Sequence, residues 1–112
     1  MTNVTKLVVG DAVTTVGVGA TPKLVDLKLG NSVQTITNGS FMNCQIDTLD
    51  ESVLGSSVTT IMNGSFSSAS IKKIYLPNNV TTVQYGAFSN TLAEEIDTGD
   101  GLTAMNSGTF NA

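Results

Sequence analysis

The chain has 112 residues, 40% of them hydrophobic and 12% charged, a length and balance that fit one folded domain and exclude a disordered tail. Its net charge of −4, with no basic cluster beyond Lys72-Lys73, excludes a nucleic-acid surface, and no apolar run is long enough to span a bilayer as a helix. Histidine is absent and Cys44 is the only cysteine, which removes His-dependent triads, the commonest zinc ligand and any intrachain disulfide.

The hydrophobic share is mainly Val, Leu, Ile and Ala, and the polar share is mainly Thr, Ser, Asn and Gly. Branched side chains suit a pleated surface, and Gly and Asn tolerate turn angles, so short strands and tight turns are expected, with little helix. The chain opens on Met1-Thr2-Asn3-Val4-Thr5-Lys6, with no basic segment leading into an apolar one. Cytoplasmic synthesis is therefore expected, with a virion or a cell surface as the two destinations considered.

In chain order, one pattern recurs five times. Val4, Leu7, Val9, Val13 and Val16 lead to Gly19 and then to Thr21. Leu24, Leu27, Leu29, Val33 and Ile36 keep the same offsets and lead to Gly39 and Phe41. Ile46, Leu49, Val58 and Ile61 precede Gly64 and Phe66, provided that about three residues are inserted around Ser52 to Gly55. Ile71, Ile74, Leu76, Val80 and Val83 lead to Gly86 and Phe88, the best-formed copy. Ala93, Ile96, Thr98, Leu102 and Met105 lead to Gly108 and Phe110, a weaker one. The phenylalanines are 25, 22 and 22 residues apart, the spacing of a solenoid whose units stack on one another. A Gly held in phase before each of those Phe residues indicates a bend that a Cβ would disfavour.

Gly39-Ser40-Phe41 followed by Met42-Asn43-Cys44, Gly64-Ser65-Phe66, Gly86-Ala87-Phe88 and the run Ile74-Tyr75-Leu76-Pro77-Asn78-Asn79-Val80-Thr81-Thr82-Val83 resemble the BspA-like subclass of leucine-rich repeats. The resemblance covers nearly the whole chain. It implies a mainly β solenoid of about five repeats of 20–25 residues, built from stacked parallel short strands. The single domain, 1–112, then divides into repeats at about 4–23, 24–45, 46–70, 71–91 and 92–112. It also implies a non-enzymatic role in protein binding or adhesion, with ligands on the strand face. Lys28, Asp50, Lys73, Tyr75 and Asp97 are the candidate partner-binding residues there.

The stacking can be tested on the sequence itself, because outward residues of in-register parallel strands become lateral neighbours about 4.8 Å apart. One outward column reads Lys6, Asp26, Thr48, Lys73, Glu95, and the next Val8, Lys28, Asp50, Tyr75, Asp97. Three opposite-charge pairs are predicted: Lys6 with Asp26, Lys28 with Asp50, and Lys73 with Glu95. The second segment yields two further outward columns, Thr14, Gln34, Thr59, Thr81, Thr103 and Thr15, Thr35, Thr60, Thr82, Ala104, which read as threonine ladders. Strand alternation would put the two columns on opposite faces and so weaken any ice-binding use of the threonines.

Asp97-Thr98-Gly99-Asp100-Gly101 lacks the alternating oxygen ligands and closing Glu of a calcium loop and reads as a turn. Cys44 has no basic neighbour in sequence and reads as buried filler. The Asn-x-Ser/Thr sequons at Asn3, Asn38, Asn63 and Asn79 read as chance matches in a chain rich in these residues. No catalytic constellation, metal site or cofactor is predicted. Repeat sequence runs to both ends with no covering element, so at least one end is expected to be covered by another chain or a second copy. The expected role is a structural one, a decorating subunit of a larger assembly such as a virion or surface layer and a homo-oligomer or subunit of a complex. The alternative is an adhesive or ligand-binding fragment of a bacterial cell-surface protein.

Overall fold

A computed structural model describes residues 1–105 and 108–110 of the chain. Among the described residues, nine short strands and one helical turn make a parallel β-solenoid of about four turns, 31 × 27 × 21 Å in extent. Strands β1 (Lys6–Val8) and β3 (Asp26–Lys28) form one sheet, and β5 (Thr48–Leu49), β7 (Lys73–Tyr75) and β9 (Glu95–Asp97) continue the same segment in another. A third sheet runs β2 (Thr15–Val16), β4 (Thr35–Ile36), β6 (Thr60–Ile61), β8 (Thr82–Val83). All pairs are parallel and follow the predicted columns, with Lys6 opposite Asp26, Thr48 opposite Lys73, and Lys73 opposite Glu95.

Main-chain hydrogen bonds between turns set this register. The carbonyl of Thr5 accepts from Val25 and Asp26, that of Asp47 from Lys72 and Lys73, and that of Lys72 from Glu94 and Glu95. Where the chain turns inward, Phe41 donates to Ser65, Phe66 to Ala87 and Phe88 to Thr109, all at 2.7–2.8 Å. The side chains follow: Phe41, Phe66, Phe88 and Phe110 stack at centroid separations of 5.4, 5.4 and 5.3 Å. Those separations exceed the strand-to-strand spacing of about 4.8 Å, so the rings slip sideways as stacked aromatics prefer.

The Gly-Ser-Phe serines are buried and tie successive turns together. Ser40 donates to the Thr37 carbonyl at 2.6 Å and lies 3.2 Å from the Val16 carbonyl one turn earlier. Ser65 lies 2.8 Å from the carbonyls of both Met62 and Thr37. The glycines kept in phase have φ between 67° and 83°, the left-handed region that the pattern predicts. A second glycine has a different cause: a Cβ on Gly30 would lie 2.5 Å from the Gly10 carbonyl oxygen of the turn beneath.

The insertion predicted around Ser52 to Gly55 is a single helical turn, α1 (Glu51–Leu54), closed by Gly55. Asp50 caps it, accepting from the Ser52 amide at 3.0 Å and the Ser52 hydroxyl at 2.6 Å. Val53 of α1 accepts the Leu29 amide at 2.8 Å, and β3 and β5 fall in separate sheets beside it. The predicted Lys28–Asp50 ion pair is therefore corrected: among the described residues only Lys6–Asp26 (3.9 Å) and Lys73–Glu95 (3.8 Å) are paired. The insertion turns Asp50 away from the strand column and into the helix cap.

The threonine columns also differ from strict alternation. Strands of the third sheet are two residues long, so the first residue of each pair lies just before the strand and is exposed, while the second is exposed at Thr15 and Thr82 and half-buried at Thr35 and Thr60. Their hydroxyls approach to 3.4 Å at Thr59–Thr60 and 3.5 Å at Thr81–Thr82.

Among the described residues, twenty-two hydrophobic side chains form one core running through the stack, with Leu24, Ile36, Leu49, Leu54, Ile61 and Ile74 fully enclosed. Cys44 belongs to it, and burial pushes its thiol up to about 12. In the outer turns some inward-pattern residues remain open, with Val13 38%, Ile96 44% and Met105 61% exposed. Thr21, at the position held by Phe in the next four turns, is fully buried, and its hydroxyl has no hydrogen-bond partner.

An unpartnered buried hydroxyl costs about 1–3 kcal/mol. Thr21→Val, which keeps the shape and deletes the polar atom, is expected to raise unfolding stability by about 1 kcal/mol or more. Chemical denaturation midpoints for the two proteins measure it, and an unchanged or lower midpoint would contradict the assignment.

Candidate interaction face

Strands β5, β7 and β9 carry the polar cluster of the molecule. Tyr75 and Lys73 are successive outward residues of β7, separated by the buried Ile74, so both project on one face. Glu95, opposite Lys73 on β9, lies within reach of both. Its Oε2 accepts the Tyr75 hydroxyl at 2.6 Å and sits 3.8 Å from Lys73 Nζ. The Tyr75 contact runs diagonally across the strand pair, since Tyr75's direct partner is Asp97.

Asp97 does not join that cluster through its side chain. It accepts the Gly99 amide at 2.9 Å and so shapes the turn that follows, while Asn78 Oδ1 accepts the Asp100 amide at 2.9 Å. The acidic stretch at 97–101 is thus a turn, as expected, with its amides held by the Asp97 carboxylate and by Asn78 of the preceding turn. No group of three or more metal-ligating side chains occurs among the described residues.

Beside Tyr75, α1 and the loop after β7 enclose an open cleft of about 390 Å³. Asp50, Glu51 and Ser52 form one wall, and Tyr75 with Leu76 to Asn79 forms the other. No lining residue is cationic. Of the five predicted partner-binding residues, the structure places Lys73, Tyr75 and Asp97 on adjacent strands, with Asp50 across the cleft from Tyr75. Lys28 stands apart on the first sheet, in a smaller hollow with Asp11 and Val8.

Two features of this face were not predicted. The first is the role of Glu95 as the acceptor for Tyr75: its column was read, but a diagonal contact needs the reach of the aromatic side chain as well as the register. The second is the cleft itself. The insertion that makes it was visible as a break in the repeat, but the fold of the inserted residues was not.

The chain matches a family model described as BspA type Leucine rich repeat region over residues 1–112, in six copies. No curated protein and no solved structure gives a match.

Donation to Glu95 raises the pKa of Tyr75 above the ordinary tyrosine value of 10.0, with desolvation and the charges of Glu95 and Asp97 adding to it. The raised value favours the folded state below the unfolded pKa and loses that contribution as pH rises through the folded one. In a Tyr85→Phe background that leaves Tyr75 as the only tyrosine, ultraviolet titration is expected to show ionisation above pH 10, and Glu95→Gln to shift it down. An identical titration in both proteins would mean that the bond is not formed in solution.

Proposed function

The chain belongs to the BspA-type leucine-rich repeat family, a family of non-enzymatic protein-interaction and adhesion modules, and from that premise we propose that it is a docking subunit of a larger protein assembly. The observation that carries this reading is the first turn of the solenoid. Strands β1 and β2 are paired on one side only among the described residues, and Val8 and Val25 are 60% and 55% exposed beside them. Open strand edges next to apolar side chains favour pairing with another polypeptide, and a solenoid turn buries its inner face only when something is stacked on it. A second copy of the chain, a subunit of a virion or surface layer, or further repeats of the same polypeptide would supply that cover.

The adhesion reading draws support from a different place. Tyr is favoured at interface hot spots, and Tyr75 stands at the mouth of the Asp50 cleft with its hydroxyl oriented by Glu95. In that case Lys73, Tyr75, Asp50 and Asp97 contact a ligand directly, and the first turn is incidental.

Light scattering across a concentration series separates the two. A docking subunit is expected to self-associate, to become monomeric on Val8→Lys, and to be unaffected by Tyr75→Ala. A wild-type chain that stays monomeric and stable throughout would refute covering by a second copy. Self-association lost in Tyr75→Ala and kept in Val8→Lys would move the interface to the strand face.

A further inference from the structure

The third sheet presents an array unlike any other surface of the molecule. Its pairing is unbroken over four strands, and the threonines of β2, β4, β6 and β8 stand in direct register. Beside that column runs a second one, whose hydroxyls are held by the turn before. Thr59 donates to the Gln34 carbonyl at 3.3 Å, Thr81 to the Thr59 carbonyl at 3.4 Å, and Thr103 to the Thr81 carbonyl at 3.4 Å. Within a turn, the hydroxyls of Thr59 and Thr60, and of Thr81 and Thr82, are 3.4–3.5 Å apart. The result is a two-column lattice of hydroxyls, its repeat along the solenoid set by the strand separation of about 4.8 Å.

We propose that this face binds ice. The argument rests on what the surface offers and on what it lacks. Neither column contains a charged or aromatic residue. A nucleic acid would need cations there, and a stable protein interface or a sugar ring would gain most from an aromatic anchor. What remains is a neutral rank of hydroxyl and methyl groups with positions fixed before contact. Water ordered against such a rank meets donors and acceptors at a regular spacing, close to that of oxygens along one axis of hexagonal ice. Because Thr59, Thr81 and Thr103 are already held by backbone carbonyls, little further ordering of those side chains is required on contact. The inference rests on side chains that the docking reading does not use, since Val8, Val25 and the cleft residues all lie outside the two threonine columns.

The structure also identifies the weak point of the array. Gln34 occupies one position of the second column, where its longer side chain interrupts the line of threonines between Thr14 and Thr59.

The test uses the full chain in thermal hysteresis and ice-recrystallisation assays. The wild type is expected to facet ice crystals and to hold freezing below melting by a gap that grows with protein concentration. Thr59→Lys with Thr81→Lys, both at exposed positions, is expected to abolish the gap while circular dichroism and thermal unfolding stay unchanged. Gln34→Thr is expected to widen it. Absence of ice shaping and hysteresis in the folded wild type would overturn the proposal, as would activity that survives the double lysine variant. Retention on crystalline cellulose or chitin without any effect on ice would also overturn it, and would assign the face to a polysaccharide surface.

Discussion

Each turn of this molecule hydrogen-bonds its main chain to the turn before it, and that constraint governs everything else in the structure. Once Val25 and Asp26 donate to Thr5, and Lys72 and Lys73 to Asp47, equivalent residues of successive turns cannot be far apart. The phenylalanines then have to stack, and they slip to 5.3–5.4 Å because a direct overlap at the backbone rise is unfavourable. Ser40 and Ser65 come close enough to carbonyls of the preceding turn to bond them, which makes a small buried polar side chain useful where a larger one would not fit. At Gly30 the turns approach so closely that even a methyl group would collide with Gly10. Packing and polar satisfaction are both consequences of one repeat distance.

This dependence explains how much could be read from the sequence. A periodic structure writes its period into the chain, so Phe41, Phe66, Phe88 and Phe110 establish the stack without any knowledge of distances. The outward columns followed by counting, and Lys6–Asp26 and Lys73–Glu95 are paired as counted. Counting failed where the period itself fails. The residues inserted after Leu49 have no equivalent in the other turns, so nothing in the pattern showed that they coil into α1 and draw Asp50 into a cap. The Lys28–Asp50 pair was lost for that reason. The threonine columns fall in register as counted, and only the objection from alternation failed: each two-residue strand points Thr outward and Val or Ile inward, but the residue before it lies outside the strand and is exposed as well.

The same irregularity creates the candidate interaction cleft. A regular solenoid presents columns and shallow grooves, and a pocket requires one turn to differ from its neighbours. Here α1 rises beside the loop after β7 and encloses the space around Tyr75. The helix is held on both sides, by Asp50 at its start and by the Leu29 amide on the Val53 carbonyl, while Leu54 anchors it in the core. The wall of the cleft is therefore as firmly placed as the repeats, although its sequence departs from theirs. That combination suits recognition, since a rigid wall loses little entropy when a ligand meets it.

The solenoid thus carries two outward surfaces of opposite character, and one register produces both. On β5, β7 and β9 the columns mix charge with an aromatic ring, so neighbours differ and the Tyr75–Glu95–Lys73 contacts are specific to one place. On β2, β4, β6 and β8 the in-register column repeats threonine at every strand, so its neighbours are equivalent. A surface of the first kind discriminates among shaped partners, because a substitution in the partner meets a particular charge or ring. A surface of the second kind can recognise only another repeat. The chemistry of each face follows from whether the outward positions of the repeat vary or are held constant, while the inward positions do the same structural work in both.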